Sequence, residues 1–382
     1  MWIHEHQDWP NFTWNAEALT FKLADVRHRQ GRLLGRMESL GFELKREACL
    51  STLTKDAVKT SAIEGENLNP EEVRSSIARR LGIDIAGLIP AGRDVEGIVE
   101  IMLDATQQFA KPLTGDRLFG WHAALFPTGR SGMRRITVGQ WRTPDAEPMR
   151  VVSGPTGKET VHFEAPDAGR LEKEMRAFLE WFDNGHEIDP VLKAGIAHLW
   201  FITIHPFEDG NGRIARAIGD MALARADATQ DRFYSLSSQI EAERREYYDQ
   251  LENQQCGTPD ITKWLKWFLD CLGRAVSISE TSLGNVLFKA QLWDTINQRP
   301  VNERQRLIIN RMLEDDFKGH MNTSKYAKLA RCSKDTALRD IQDLKDRGIF
   351  IQNPGGGRST SYRLPDSHEH YDKLGQGAVK FP

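Results

Sequence analysis

No stretch of this sequence approaches the roughly 18 consecutive apolar residues that a membrane-spanning helix needs, so no span is expected. Charge of one sign is lacking too. With 51 basic against 54 acidic residues the formal net charge is -3, which gives no global pull toward nucleic acid or an anionic membrane. Cysteine is scarce. The four thiols (Cys49, Cys256, Cys271, Cys332) form no C-x-x-C pair, which argues against a cysteine-built metal site or a disulfide framework. Reduced thiols in a cytoplasmic protein are the expectation. The opening MWIHEHQDWP lacks the basic flank and apolar core of a signal peptide. The His-Glu-His triplets near both ends could bind metal, but flexible polar termini account for them better. There is no internal repeat of 20–50 residues. A phosphate-binding loop is also missing. GPTGKET (154–160) resembles one, but the motif requires glycine at 152 and a hydroxyl at 159, where the chain has Val152 and Glu159. A hairpin tip is expected there instead.

What is present reads as mostly helix. A length of 382 residues is more than one average domain. Leu19, Leu23, Val26, Leu33, Met37, Leu40 and Leu44 recur at helical spacing, which predicts a pair of N-terminal helices. Four regions are expected: an N-terminal helical module over 1–68, a helical core over 69–297, a small helical unit with a terminal hairpin over 298–364, and a flexible tail over 365–382. The polar NQRPVNERQR at 297–306 reads as a linker or helix start. β-Branched residues alternating with turn formers between 132 and 166 predict a short hairpin inside the core.

The segment ITIHPFEDGNGRIAR (202–216) carries the chemistry. Asp189-Pro190 is a good helix start, and the AGIAHLWFITI that follows is apolar on every face, as a buried helix is. It ends at His205 in an acid-and-glycine turn. RIARAIGDMALARA then has helical composition again. Gly210 and Gly212 let backbone N–H groups converge at the new helix's N-terminus, an anion nest reinforced by the helix dipole. Arg213 and Arg216, three apart, share a face and can grip successive phosphates. Asp209 is a hard oxygen ligand for a Mg2+ ion bridging those phosphates. His205 can serve as a general base near neutral pH. Nest, clamp, metal ligand and base describe phosphoanhydride chemistry. His198 is expected to be core.

HPFEDGNGRIAR resembles the signature of Fic-domain proteins, H-x-F-x-[DE]-G-N-G-R-x-x-R, at every fixed position. The resemblance implies a mainly α fold: a Fic-type helical bundle core with a small β-hairpin flap, an N-terminal helical module and a C-terminal winged helix-turn-helix-like unit. It implies transfer of AMP from ATP to a Ser, Thr or Tyr hydroxyl of a protein target, releasing pyrophosphate. His205 would then take the hydroxyl proton, Phe207 would anchor the loop, and Asp209 would hold Mg2+. Gly210, Asn211 and Gly212 would cradle the α-phosphate, while Arg213 and Arg216 neutralise the outer phosphates. The flap would be the 149–154 hairpin, with Val151, Val152, Ser153 and Gly154 at the nucleotide and a strand edge for the target backbone. REYYDQLENQQ is similar to the family's adenine-side helix and points to Tyr247, Tyr248 and Gln255; ordinary helix packing explains the tyrosines equally well. TSAIEG (60–65) fits the family's self-inhibitory pattern [ST]-x-x-x-E-[GN]. Thr60 and Glu64 share a helix face, so Glu64 could aim its carboxylate at an active-site arginine.

Two other readings stand beside adenylyl transfer. Transfer of another nucleotide, or removal of AMP, fits the same motif. The kinase-like branch of the family has lysine where this chain has Gly212. The third reading is a nucleotide-sensing DNA-binding regulator. From 323 to 363 there are nine basic against four acidic residues, yet the expected recognition helix at 334–347 holds four of each sign, whereas a groove-reading helix normally exposes a basic face. A protein target lying along the flap, self-modification and a homodimer are the other partners considered.

Overall fold

The computed structural model describes all residues except 39, 84–86, 145–147, 155–157, 159, 185–186, 314–316, 318, 355–359 and 366–382. Most of the tip of the expected flap hairpin, the Gly-rich tip of the expected terminal hairpin and the tail after Pro365 therefore lie outside the described residues. Helices dominate: α1 (Ala16–Glu38), α2 (Phe42–Ile63), α3 (Pro70–Leu81), α4 (Arg93–Gln107) and α5 (Gly115–Leu125) come first. Two antiparallel hairpins follow, β1 (Arg130–Ser131) with β2 (Arg134–Arg135), and β3 (Arg150–Ser153) with β4 (Thr160–Glu164). Then come α6 (Leu171–Asn184), α7 (Pro190–Ile204), α8 (Asn211–Asp227), α9 (Leu236–Ala242), α10 (Arg244–Gln255) and α11 (Thr262–Gln298). The fold is mainly α with small β-hairpins. It divides into two compact units, 1–279 and 280–382, the division falling inside α11.

In the first unit α7 is the axis. Asp189 caps it, its carboxylate accepting from the Val191 N–H, and Pro190 occupies the first turn. Every residue from Ala194 to Ile204 is buried, as all-round apolarity requires. Gly195 permits a close approach to α11. A Cβ there would lie 2.9 Å from the Phe268 ring of α11, and the Trp264 indole donates to the Gly195 carbonyl at 2.8 Å. His198 is core, as expected, with Nε2 2.9 Å from the Tyr247 hydroxyl. α8 packs against α7, and its Ile214, Ile218, Met221 and Leu223 are fully buried.

α2 is pinned to this core through polar contacts. Asp56 accepts from the Ser235 hydroxyl at 2.5 Å and from the Ser237 N–H at 3.3 Å. Arg232, itself buried, pairs with Asp227 at 3.1 Å and lies 3.6 Å from Asp220 of α8. Burial and the neighbouring Asp56 raise the Asp220 carboxyl well above its ordinary range. The chain's first residues are not the flexible polar terminus their composition implies. Ile3 is fully buried, His4 Nε2 donates to the Glu164 carbonyl at 2.8 Å, and Trp2 stands edge-on to Phe163. His4 thus buttresses the back of β4; its apolar neighbours, not its polarity, decide its place.

The second unit contains α12 (Glu303–Leu313), α13 (Thr323–Leu329), α14 (Lys334–Asp346) and the antiparallel pair β5 (Ile351–Gln352) and β6 (Tyr362–Arg363). Met321 bridges to Tyr362, and Ile308, Tyr326, Ala337, Ile341, Leu344 and Phe350 form the core with Leu292 and Ile296 of α11. On α14 Asp340 is turned inward, accepting from Arg304 at 2.8 Å and Asn302 at 3.0 Å. That contact removes one of the helix's four acids from its outer face.

Candidate active site

The turn between α7 and α8 is set by local physics. His205 closes α7 in the left-handed region, φ 51°, and Pro206 prevents its continuation. Phe207 is fully buried against His122, with ring centroids 4.2 Å apart and planes 7° from parallel; burying such a ring contributes about 1.5–3 kcal/mol. Asn211 staples the loop, donating to the Phe207 carbonyl at 2.8 Å and accepting from its N–H at 3.0 Å. Gly210, φ 80°, begins α8, and a Cβ there would meet the Phe126 ring at 2.9 Å. Only glycine fits. Arg142 donates to the His205 carbonyl at 3.0 Å and its own N–H to the Pro206 carbonyl at 2.9 Å.

His205 Nδ1–H donates to the Ile202 carbonyl at 3.1 Å. This fixes the tautomer and leaves Nε2 as an acceptor. Burial, reinforced by the Arg142 charge, lowers its pKa to about 4, so the ring is neutral and able to accept a proton across the neutral range. His122 and His198 are lowered likewise by burial, to about 4 and about 3. The unfolded chain therefore binds protons that the folded chain does not. Stability contributed by these three rings is complete above pH ~6.5 and is lost as pH falls toward ~4, at about 1.4 kcal/mol per pH unit for each ring. Asp220 and Asp227, raised by burial, act in the opposite direction, so one histidine is best isolated by substitution. His122→Phe is expected to flatten the wild-type pH dependence by about 1.4 kcal/mol per unit between pH 6 and 5. Urea midpoints at the two pH values check this, and parallel slopes would refute it.

A cavity of about 690 Å3 opens over the turn. Its floor is His205, Asp209, Gly210, Asn211 and Gly212; its roof is Val151, Val152 and Ser153 of β3; Tyr247, Tyr248 and Gln255 of α10 form one side, and Glu64 intrudes from the end of α2. Residues from four separate parts of the chain thus line one cavity. Gly154 follows β3 in the left-handed region, φ 100°, and is not among the lining residues. Tyr247 lies deep, buried against His198, while the half-exposed Tyr248 hydroxyl donates to the Ile63 carbonyl at 3.3 Å. Gln255 is buried and reaches Thr203 at 3.4 Å.

Both arginines lie beneath the nest, 6% and 2% exposed for Arg213 and Arg216. Arg216 Nη2 donates to Glu64 Oε1 at 2.6 Å and to the Thr60 carbonyl at 2.9 Å, while Nε donates to the Thr60 hydroxyl at 2.7 Å. Thr60 and Glu64 act together on one guanidinium. The Glu64 contact is a single hydrogen bond from Nη2, not a two-pronged pairing, since Thr60 takes Nε and shares Nη2. A Cβ on Gly212 would lie 2.1 Å from Glu64 Oε1, so the carboxylate rests directly on the nest. Arg213 Nη1 donates to Glu66 Oε2 at 2.6 Å, a pairing that no local pattern announces. Arg213 Nε and Arg216 Nη1 are buried donors without a partner among the described residues. Such donors suit phosphate oxygens.

Asp209 Oδ1 accepts from the Gly210 N–H at 2.5 Å, and Oδ2 accepts from the Ser131 hydroxyl of β1. No cluster of three or more His, Cys, Asp or Glu suited to a metal occurs among the described residues. One carboxylate at a phosphate nest fits Mg2+ chemistry, in which substrate oxygens and water complete the shell. His122 Nε2–H donates to the Asp209 carbonyl at 3.2 Å, its Nδ1 accepting from the Gly139 N–H at 3.2 Å. Ser131, Arg142 and His122, together with Glu66, are the site residues that the sequence reading did not identify.

A neutral imidazole, a helix-N-terminal nest and two buried arginines meet at this turn, a combination chemically suited to a phosphorylated ligand. Residues 112–223 match the Fic/DOC family, and residues 2–83 match a domain of unknown function (DUF4172). This chain therefore contains a Fic/DOC domain. It is 25% identical over 250 residues to protein adenylyltransferase fic-1 of Caenorhabditis briggsae, covering 64% of this chain and 45% of that protein. It is 32% identical over 108 residues to protein adenylyltransferase Fic of Nematostella vectensis, covering 28% and 23%. The chain thus spans under half the length of these curated relatives. Among solved structures, a Fic family protein from Desulfovibrio desulfuricans G20 aligns over 91% of this chain and 96% of its own, at 20% identity and a TM-score of 0.49.

Proposed function

We propose that this protein transfers AMP from ATP to a hydroxyl of a protein, itself included, and that Glu64 holds it nearly silent. The observation that carries this reading is the cavity floor: His205 Nε2 free to accept a proton beside an anion nest backed by Arg213 and Arg216. In this reading the target hydroxyl gives its proton to Nε2 as its oxygen bonds to the α-phosphorus. The bond to the bridging oxygen breaks, and pyrophosphate leaves. The N–H groups of Gly210, Asn211 and Gly212 stabilise the α-phosphate oxygens, and the two guanidiniums balance the outer phosphates. Asp209 would hold the Mg2+ ion that arrives with the triphosphate, and that ion would neutralise phosphate charge. The unpaired edge of β3, with Val151 and Val152 exposed, would take the target backbone as an added strand.

Names borne by relatives, protein adenylyltransferase in each case, support the reading at family level. Incubation of a Glu64→Gly variant with ATP labelled at the α- or the γ-phosphate, followed by intact-mass measurement, tests it. Retention of the α label with a mass gain of AMP is expected. Retention of γ label, a gain with a different nucleotide only, or loss of AMP from a modified protein would each replace it with another reaction.

A further inference from the structure

The flap contains a second constellation that the reaction above does not use. The β3–β4 ladder pairs Val151 with Phe163 but Val152 with Val161, so it shifts by one residue at His162. This β-bulge leaves His162 without a cross-strand partner. Bulges of this kind re-aim a side chain beside functional sites. The freed ring reaches two groups. Its Nδ1–H donates to Glu252 Oε2 of α10 at 2.9 Å, and its Nε2 lies 2.6 Å from the Ser153 hydroxyl. Glu252 accepts only, so it holds the proton on Nδ1 and leaves Nε2 as the acceptor for Ser153 O–H. A nucleophile within hydrogen-bond reach of a base, and that base oriented by a third group, is the arrangement that activates a hydroxyl. All three residues line the cavity that holds His205 and the anion nest.

We propose that Ser153 is an activated acceptor, a self-modification site for the adenylyl group, with His162 as its base and Glu252 as the group that orients the base. The identity of the group transferred rests on the function proposed above. Ser153 Oγ bonds to the α-phosphorus, the bond from that phosphorus to the bridging oxygen breaks, and pyrophosphate leaves with the electron pair. The Ser153 proton passes to His162 Nε2. The three side chains have no oxyanion donors of their own, and the nest at the start of α8, which lines the same cavity, would stabilise the phosphate oxygens. A flap carrying AMP would place a bulky nucleotide beside the strand edge meant for a target, so modification would also limit transfer to other proteins.

Two arms on the full chain with Glu64→Gly test this. In the first, a fluorophosphonate probe, a phosphorus electrophile without a nucleotide, is followed by peptide mapping. Ser153 should be labelled above other serines, with at least tenfold loss in His162→Ala and a smaller loss in Glu252→Gln. In the second, ATP replaces the probe, and AMP should appear on the peptide containing Ser153. Circular dichroism controls for folding of the variants. AMP on other residues with none on Ser153 would overturn the proposal and leave the function standing. Probe labelling of Ser153 without AMP on any residue would overturn the function and the acceptor role together. Labelling of Ser153 that ignores His162 would show that the contact only ties the flap to α10.

Discussion

In a Glu64→Gly background, His205→Ala is expected to slow AMP incorporation by about 10²–10⁴-fold, the usual cost of removing a general base. Mg-ATP binding should change little. The nest, both arginines and Asp209 remain, and His205 contributes no donor to the phosphates, because its one N–H is committed to Ile202. Because burial places the pKa of His205 at about 4, the base is already in its active form at neutral pH. The rate in the His205-containing enzyme should therefore fall only as pH drops through the acidic range toward that value. Single-turnover rates and nucleotide affinity, measured on both proteins, separate the roles. Unchanged incorporation by the alanine variant would remove the imidazole from the reaction; a matching loss of ATP affinity would make it a binding residue.

Glu64→Gly itself is expected to raise AMP incorporation by about 10- to 100-fold. A charge-assisted hydrogen bond contributes about 1.5–3 kcal/mol, and Glu64 sets such a bond at 2.6 Å on an arginine that is almost wholly buried. Under the proposed function an incoming γ-phosphate would have to displace it. The same carboxylate covers Gly212, so under the proposed function the nest and the clamp would be blocked together. Glu66 on Arg213 is a weaker lock. Its side chain is 47% exposed, and exposed pairs contribute about 0.2–1 kcal/mol, so Glu66→Gln added to Glu64→Gly should give only a further two- to fivefold. Arg216→Ala should cancel the Glu64→Gly gain, because the released guanidinium is what the nucleotide needs. If Glu64→Gly incorporates no more AMP than wild type at saturating Mg-ATP, with the circular dichroism spectrum unchanged, Glu64 merely ends α2.

The local parts of this site can be read from the chain alone. Asp189-Pro190 starts α7, His205-Pro206 stops it, and Gly210 to Gly212 starts α8, each through caps, fixed dihedrals or missing Cβ atoms within a few residues. Thr60 and Glu64 were legible for the same reason: four residues along a helix share a face, and both meet Arg216. Tertiary structure decided the rest. Glu66 meets Arg213 across 147 positions, His162 meets Glu252 across 90, and Ser131 reaches Asp209 across 78. No period or spacing encodes such pairs. They exist because α2 is pinned beside α8 by buried polar contacts, and because a one-residue bulge turns the flap's histidine toward α10. His4 shows the same division, since its burial was decided by Ile3, Trp2 and Phe163. Local chain stereochemistry can be read in order along the sequence, whereas side-chain partners brought together by packing depend on the whole folded core.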